Sequence, residues 1–431
     1  MLKIKLYGLN TKSISAAVFY ANHGYSVTLY CYCEPTESHL NKYLIDAPLT
    51  KALRSGMNAG QLQFNSDTDP QILPERSDKT ATLDRLNEDV HWIFTDVLTV
   101  DQGTALQHQL KKTGDTPILL SGVLPTGSMD KITKSLPQYR VYYVPFIFLR
   151  SSSAYESINH PHLVLVGEKL PGTAKSEAVI HLLLQNADEF AFADVLSVEL
   201  ARSTLLASMA TQLSLTNELA RLADALGADF KKASTLAKLD KRVSSSYINA
   251  GWGYGGQSLP AEIKVLREAF DYNNISTSLL NAVQTINEEQ KQLIFEKMWR
   301  YFDTDLSDKA IMIWGAGYKK GSSRIPGSAL IKLAPLLVAH GAKLSLFDPK
   351  AKLELTNHFG ELPFKMASTA YEQLEDYDAL LILNWSESYP VEEDCIKQAG
   401  IPVFDAANLL DATTAGRLTH FYTGIGQGQK C

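Results

Sequence analysis

The chain has little cysteine and no long apolar run. Its four cysteines, Cys31, Cys33, Cys395 and Cys431, are too few for a disulfide scaffold and lack the paired spacing of a metal site. No apolar stretch reaches the ~20 residues of a membrane span, and the N-terminal segment lacks the apolar core of a signal peptide. We therefore expect a cytoplasmic protein that binds neither a metal nor a membrane.

Runs of basic charge are also missing. Lysine and arginine number 41 against 47 aspartates and glutamates, which gives a formal net charge of −6. A mildly acidic chain without a basic patch excludes nucleic acid as an expected partner. The composition, with 45% hydrophobic and 20% charged residues, is that of a globular protein, and its length predicts two or three domains of roughly 100–200 residues.

Strand and helix patterns alternate in the first and last parts of the chain. A predicted helix over Ser13–His23 separates the predicted strands Lys3–Tyr7 and Ser26–Cys33. The remaining predicted strands are His91–Thr95, Pro117–Ser121, Val141–Val144, His162–Val166, Lys309–Trp314, Lys343–Phe347, Ala379–Leu383 and Pro402–Asp405. This alternation is typical of parallel sheets of the doubly wound type.

The middle of the chain is helical. Val195–Leu226 carries apolar residues at helical spacing with no glycine or proline, which predicts one long helix. We therefore predict an α/β fold in which two Rossmann-like doubly wound domains are joined by a long central helix and a helical middle domain. The predicted domain boundaries are 1–193, 194–300 and 301–431.

The turn after the first strand is a candidate dinucleotide site. Such a site uses G-x-G-x-x-G to bring the backbone close to a pyrophosphate at a helix N-terminus, whereas Gly8–Ser13 keeps only the first glycine. Asn10 can adopt a left-handed conformation, but its side chain would crowd a phosphate. Two interpretations stay open: a Rossmann-like domain without a tightly bound dinucleotide, or a remodelled NAD site at Gly8, Asn10 and Ser13.

Two later segments are rich in glycine. Asn249–Gly256 holds four glycines in six residues, and Gly315–Lys320 follows a predicted strand and ends in two lysines that can meet a phosphate. A flexible loop and a tight strand–helix turn are the alternatives. The candidate ligand-binding residues are Asn249, Gly251, Gly253, Tyr254, Gly255, Gly256, Lys319 and Lys320.

In this order, these segments resemble the UDP-glucose/GDP-mannose dehydrogenase family over nearly the whole chain. Ala207–Ala220 looks like the family's N-A-F-x-A-x-K-I-x-F-x-N-E helix, and Asn249–Glu262 resembles its N-x-G-x-G-F-G-G-S-C-x-P-K-D loop. Gly315–Ala329 is similar to its G-L-x-F-K-x-x-T-D-D-x-R-E-S-P segment. The resemblance implies NAD in the first domain, a nucleotide sugar in the last, a dimer through the long helix, and a role in polysaccharide precursor metabolism.

The resemblance also implies that the catalytic positions are degenerate. Family members oxidise a nucleotide-sugar alcohol to a carboxylate with two NAD⁺ and a cysteine thiolate, but the nucleophile position here is Ser258, whose hydroxyl needs an adjacent base. The catalytic lysine is replaced by Arg202, which stays charged. The water-positioning asparagine is replaced by Leu206, and the aspartate of the loop motif by Glu262.

Three functions follow as hypotheses. The first is a degenerate family member that binds a UDP- or GDP-sugar, or assembles as a homodimer or as a heterodimer with an active homologue. The alternative is an active NAD-dependent oxidoreductase on a UDP- or GDP-sugar that stops after two electrons. The third is an interaction protein without a small-molecule site.

Overall fold

The structure, a computed structural model, divides the chain into two compact units, Met1–Thr204 and Leu205–Cys431. The residues that it describes are 2–31, 36, 40, 43–44, 47–66, 89–97, 116–146, 153–242, 246–319, 322, 324–385, 389, 391–410 and 416–427. No helix among them is long and apolar enough to span a bilayer.

The first unit is built on a sheet with the strand order β3-β2-β1-β4-β5-β6-β7-β8. The strands are β1 Lys3–Tyr7, β2 Ser26–Tyr30, β3 Leu62–Asn65, β4 Val90–Phe94, β5 Pro117–Ser121, β6 Arg140–Tyr143, β7 Leu163–Glu168 and β8 Glu189–Ala193. Neighbouring strands run parallel except β6 and β7, which are antiparallel. The strand order reverses between β1 and β4, and ligands of doubly wound sheets bind at such a switch point.

Helices of the first unit pack on this sheet. They are α1 Thr11–Asn22, α2 Ala47–Asn58, α3 Ser128–Lys134, α4 Ala154–Asn159 and α5 Ala178–Gln185. Nine consecutive residues of α1, Ser13–Ala21, are buried, because this helix lies in the apolar cluster formed by Ile4 and Leu6 of β1 with Trp92 and Phe94 of β4. That burial fixes the position of the first helical turn relative to the ends of β1 and β4.

The second unit carries a parallel sheet with the order β11-β10-β9-β12-β13-β14. Its strands are β9 Ala310–Trp314, β10 Lys343–Phe347, β11 Lys365–Met366, β12 Ala379–Ile382, β13 Val403–Asp405 and β14 Tyr422–Gly424. The switch point of this sheet lies between β9 and β12. The predicted fold class, with two Rossmann-like sheets and central helices, is therefore confirmed.

The long helix α6, Val195–Leu226, begins in the first unit and continues into the second. The helices that follow are α7 Phe230–Ala237, α8 Ser258–Tyr272, α9 Ser278–Gln290, α10 Leu293–Tyr301, α11 Leu330–Ala339, α12 Lys352–Phe359 and α13 Glu393–Ala399. Ala210 of α6 lies in one apolar cluster with Ile263 of α8 and Val283 of α9. This packing positions the first turn of α8, where Ser258 lies.

The buried carboxyl group of Asp405 should make the stability of the second unit depend on pH. It is fully buried at the end of β13, and burial raises its pKa from 3.8 to about 6, although Leu410 N–H, Ala407 N–H and Tyr422 O–H donate to its carboxylate. Because the folded-state pKa is raised, the contribution of Asp405 to the unfolding free energy is largest below pH 4 and falls by up to about 3 kcal/mol as the pH rises through 6.

The measurement is urea unfolding followed by tryptophan fluorescence between pH 4 and 7. Four of the five tryptophans belong to the second unit, so the signal reports mainly on it. Asp405→Asn, whatever its absolute stability, should lose this slope of the unfolding free energy against pH. Asp303→Asn, which changes an exposed carboxylate, should keep it. An unchanged slope in Asp405→Asn would contradict the prediction.

Candidate functional site

The first glycine turn, Gly8–Ser13, is held by hydrogen bonds between two of its own residues. Gly8 follows β1 with a φ of 99°, and Asn10 caps α1 in an extended conformation with φ −155°. The amide N–H of Ser13 donates to Asn10 Oδ1 at 2.8 Å, and the amide N–H of Asn10 donates to Ser13 Oγ at 2.9 Å. Asn10 therefore does not take the left-handed conformation that is open to an asparagine, because a capping residue has an extended backbone.

The glycine loop, Asn249–Gln257, is held by side-chain amides. Asn217 Oδ1 accepts the N–H of Gly251 at 3.0 Å, and Gln290 Nε2 donates to the Gly251 carbonyl at 2.7 Å. Asn287 binds both backbone groups of Tyr254, with its Oδ1 accepting at 2.7 Å and its Nδ2 donating at 3.1 Å. The loop is thus braced on α6 and α9, and its glycines are part of a fixed backbone.

The glycines of this loop are required by close contacts. Gly253 has a φ of 106°, and a Cβ there would lie 2.6 Å from Asn287 Oδ1. A Cβ at Gly255 would overlap the carbonyl of Gly327, and a Cβ at Gly256 would overlap the ring of Tyr318. The loop is therefore pressed against the segment that follows β9, which brings the two later glycine-rich segments together.

The second glycine turn, Gly315–Lys319, follows β9 at the switch point of its sheet. The Ala316 N–H donates to the carboxylate of Asp348, at the end of β10, at 2.8 Å. Asn384, after β12, donates through Nδ2 to the carbonyl oxygens of Gly317 and Lys319. Three strand ends are thereby tied together around the turn.

Lys319 is the last described residue of the second glycine turn and follows Tyr318. Its Nζ lies 5.6 Å from the centre of the Tyr318 ring, whose carbons contact Gly256. Burial lowers the pKa of Lys319, and an anion in contact with this lysine would stabilise its charged form. Lys320 lies outside the described residues.

Two of the candidate ligand-binding residues, Tyr254 and Asn249, differ in how far they are buried. Tyr254 is 6% exposed, and burial raises the pKa of its hydroxyl to about 12. Asn249 is exposed and accepts a hydrogen bond from Lys238 Nζ at 3.0 Å. Asn249 is thus open to solvent at the start of the loop, while Tyr254 anchors its middle.

The predicted catalytic positions lie on α6 and α8. Ser258 is the first residue of α8, and no described residue makes a hydrogen bond with its side chain. Glu262, one turn later, is fully buried. Leu206 is half-buried on α6 next to Ala207, which packs in the same cluster as Leu259. Arg202 is 5% exposed and belongs to the first unit.

Glu199, one helical turn before Arg202, holds the start of α3. Its Oε1 accepts the N–H of Met129 at 2.9 Å, and its Oε2 accepts the N–H of Asp130 at 3.1 Å. Burial raises the pKa of this carboxyl, against the lowering effect of the two N–H groups. Its acceptor atoms are thus engaged in a structural contact within the first unit.

The described part of the chain offers no group of three or more His, Cys, Asp or Glu side chains that could hold a metal ion. A small cleft at the second switch point has a volume of about 20 Å³ and is lined by Phe347, Asp348, Trp385 and Tyr389 among others. That volume holds about one water molecule.

The amides that brace the glycine loop were not identified from the sequence. Asn287 and Gln290 continue the spacing of Leu280 and Val283 along α9, and all four side chains are buried. Amide side chains on the apolar stripe of a predicted helix are therefore the signal that could have found them, because a buried amide needs partners. Asn384 follows a predicted strand and carries no such signal.

Family models match two regions of the chain. Residues 197–289 match the central domain of the UDP-glucose/GDP-mannose dehydrogenase family, and residues 312–412 match its UDP-binding domain. A UDP-glucose 6-dehydrogenase of Rickettsia bellii is 26% identical and covers 72% of this chain and 74% of its own. One of Rickettsia conorii is 24% identical and covers 99% of both.

Solved structures of similar proteins share the fold. The UDP-glucose dehydrogenase of Pyrobaculum islandicum matches with a TM-score of 0.82 at 18% identity, covering 99% of this chain and 98% of that chain. UDP-D-ManNAc dehydrogenase of Pyrococcus horikoshii matches with a TM-score of 0.78 at 16% identity, covering 99% and 100%. The chain belongs to the UDP-glucose/GDP-mannose dehydrogenase family, with residues 197–289 as its central domain and residues 312–412 as its UDP-binding domain.

Proposed function

We propose that the chain binds a nucleotide sugar through its second unit and does not carry out the family's oxidation of the sugar to a carboxylate. The observation that carries this proposal is the position of Ser258, which begins α8 directly after the braced glycine loop. The scaffold that presents the nucleophile is kept, while the nucleophile itself is a serine.

The loop and the second glycine turn support nucleotide-sugar binding. Backbone groups without a Cβ allow a ligand to approach closely, and the loop is held in one conformation before any ligand arrives. Lys319 adds a partly buried cation near the ring of Tyr318, which packs against Gly256. The negative charge of a diphosphate bound there would raise the pKa of Lys319 and so counteract the effect of burial, which lowers it.

The replaced groups support the loss of oxidation. A serine hydroxyl becomes a nucleophile through a neighbouring base, and the Ser258 side chain has no hydrogen-bond partner among the described residues. A guanidinium does not transfer a proton as a lysine amine does, so Arg202 does not replace the catalytic lysine, and Leu206 offers no hydrogen bond to a water. Losing one catalytic group costs about 10²–10⁴ in rate, and several are replaced together.

An exposed leucine stripe on α6 supports assembly with a second copy. Leu215, Leu219, Leu222 and Leu226 are 53%, 44%, 53% and 69% exposed, and they recur at intervals of four, three and four residues along one helix face. That spacing is the one by which helices pair in coiled coils. The proposed dimer covers this stripe, and a heterodimer with an active homologue would use the same face.

Nucleotide-sugar binding is tested by calorimetry with UDP-glucose and GDP-mannose. We expect saturable binding of at least one of them and a loss of at least about tenfold in affinity in Lys319→Met, because a phosphate contact is removed. Lys264→Met is the matched control, since Lys264 is an exposed lysine of α8 in the same unit, and it should bind as the unaltered chain does. No binding of either sugar would refute the proposal.

Oxidation is tested separately by following NADH and the sugar product by mass spectrometry. We expect no NADH from the unaltered chain and none from Ser258→Cys, because the thiol alone does not replace the other lost groups. Two NADH per sugar at an ordinary turnover of about 1 s⁻¹ or more would contradict the proposal. One NADH per sugar with an aldehyde or ketone product would favour the two-electron alternative.

A further inference from the structure

The first glycine turn has the spacing of a dinucleotide fingerprint with two glycines replaced. Gly8, Asn10 and Ser13 stand at the three glycine positions of G-x-G-x-x-G. In that fingerprint the second glycine lets the backbone approach the pyrophosphate, and the N–H groups of the first helical turn receive its oxygens. The residues at the two replaced positions bond to each other.

This mutual bonding occupies two of the backbone donors at the helix start where a pyrophosphate would bind. The N–H groups of Asn10 and Ser13 are both satisfied by side chains of the pair, and the Ser13 hydroxyl also donates to the Asn10 carbonyl at 3.0 Å. Ser13 is fully buried and cannot turn outward without leaving the core. A dinucleotide would have to break three hydrogen bonds to form its own.

A second contact bridges the same switch point. Lys12 in the first turn of α1 pairs with Asp96, two residues beyond β4, at a distance of 3.2 Å between Nζ and Oδ2. The side chains are 27% and 18% exposed, so both are largely covered. The pair joins the helix start to the end of the neighbouring strand, across the crevice where a dinucleotide crosses the sheet.

The described end of the second strand also carries no acid for a ribose. The acid that binds a ribose stands at the end of the second strand in the fingerprint, and this chain has Tyr30 and Cys31 there. Tyr30 stacks on Tyr7 with 4.9 Å between ring centres, and Cys31 is 1% exposed with its Sγ donating to Asn65 O. Glu34, the nearest acid, lies outside the described residues.

We propose that the first glycine turn is closed to dinucleotides by the chain's own side chains: the Asn10–Ser13 capping box takes the place of the pyrophosphate, and the Lys12–Asp96 pair spans the crevice. NAD therefore does not fit this turn. This proposal deepens the proposed loss of oxidation, and it rests on that loss for the role that it gives to the turn. It concerns the binding of NAD⁺ alone and is independent of nucleotide-sugar binding.

The test is calorimetric titration of the full chain with NAD⁺. We expect no saturable binding up to about 5 mM for the unaltered chain, and at least tenfold tighter binding for Asn10→Gly/Ser13→Gly, which restores the fingerprint. Ser153→Gly, which removes the N-cap of α4 in the same unit, is the matched control and should leave NAD⁺ binding unchanged. A Kd below about 1 mM for the unaltered chain overturns the proposal. A folded double variant that gains no affinity overturns it too.

Amide hydrogen exchange on the unaltered chain keeps the proposal testable if the double variant does not fold. A closed turn predicts slow exchange at Asn10 and Ser13 that about 5 mM NAD⁺ leaves unchanged. Additional protection at these amides with NAD⁺ overturns the proposal. A UDP-glucose titration run beside it reports on the second unit, so the two proposals fail separately.

Discussion

Lys297→Met is expected to destabilise the second unit by about 2–4 kcal/mol, because it removes the cation that pairs with the largely covered carboxylate of Asp224. Lys297 lies on α10 and is 6% exposed. Its Nζ donates to Asp224 Oδ2 and to the Gly424 carbonyl, both at 2.6 Å, and Thr423 Oγ1 lies 3.5 Å away. The same Asp224 oxygen accepts the Gly426 N–H at 3.1 Å.

These bonds connect three parts of the second unit. Asp224 belongs to the last turn of α6 and Lys297 to α10, while Thr423–Gly426 covers the end of the last strand and the two residues after it. The Gly426 carbonyl in turn accepts the Phe230 N–H at 2.7 Å, which ties in the start of α7. The ion pair therefore connects the central helices to the C-terminal sheet.

The measurement is urea unfolding followed by tryptophan fluorescence, as for Asp405. The matched control is Lys309→Met, since Lys309 pairs with Asp378 at 3.3 Å with both side chains more than a third exposed, and its loss should cost at most about 1 kcal/mol. Lys297→Met/Asp224→Asn should be less destabilised than Lys297→Met alone, because no charge is left behind. Equal losses in Lys297→Met and Lys309→Met would contradict the prediction.

The fold could be predicted from the sequence where local pattern and burial agree. The strands Lys3–Tyr7, Pro117–Ser121 and Lys343–Phe347 and the helix Val195–Leu226 are confirmed to the residue. The first helix was predicted to begin at Ser13 and begins at Thr11, because Asn10 supplies its cap. The domain boundaries 1–193, 194–300 and 301–431 stay a prediction.

Elements that depend on distant neighbours were not predicted. The strand Glu189–Ala193 is largely exposed at a sheet edge, and Leu62–Asn65 and Tyr422–Gly424 are short and also lie at edges. Strand patterns carry no direction, so the antiparallel pairing of β6 with β7 was not foreseen either. Such features are set by which strand lies alongside, and that is information the local sequence does not hold.

In the candidate site, too, local features could be predicted from the sequence, whereas contacts between distant segments could not. Glycine density pointed to the loop at Asn249–Gln257, and the structure places it against the second glycine turn. Its rigidity comes from the amides of Asn217, Asn287 and Gln290 on two helices, and 287 − 217 = 70 residues separate the two asparagines in the chain. The Asn10–Ser13 pairing is local and could have been predicted, because its spacing is that of a capping box.

The leucine stripe yields the last prediction: Leu219→Glu/Leu222→Glu should dissociate the proposed dimer. Burying the exposed half of each leucine stabilises an interface by about 1 kcal/mol, and each change counts twice across a two-fold axis. The double variant thus loses about 4 kcal/mol, or about 10³-fold in Kd, before the cost of burying carboxylates is added. Sedimentation equilibrium should show the chain mass of 47.6 kDa for the variant and twice that mass for the unaltered chain.

Leu279→Glu is the matched control for this variant. Leu279 is 64% exposed on α9, outside the leucine stripe, so the same substitution changes charge and surface polarity in the same unit without touching the proposed interface. It should sediment as the unaltered chain does. An unaltered chain that sediments as a monomer at micromolar concentration, yet doubles its mass with an active homologue, would show that the stripe pairs with a different chain. Dissociation in Leu279→Glu would move the interface away from α6.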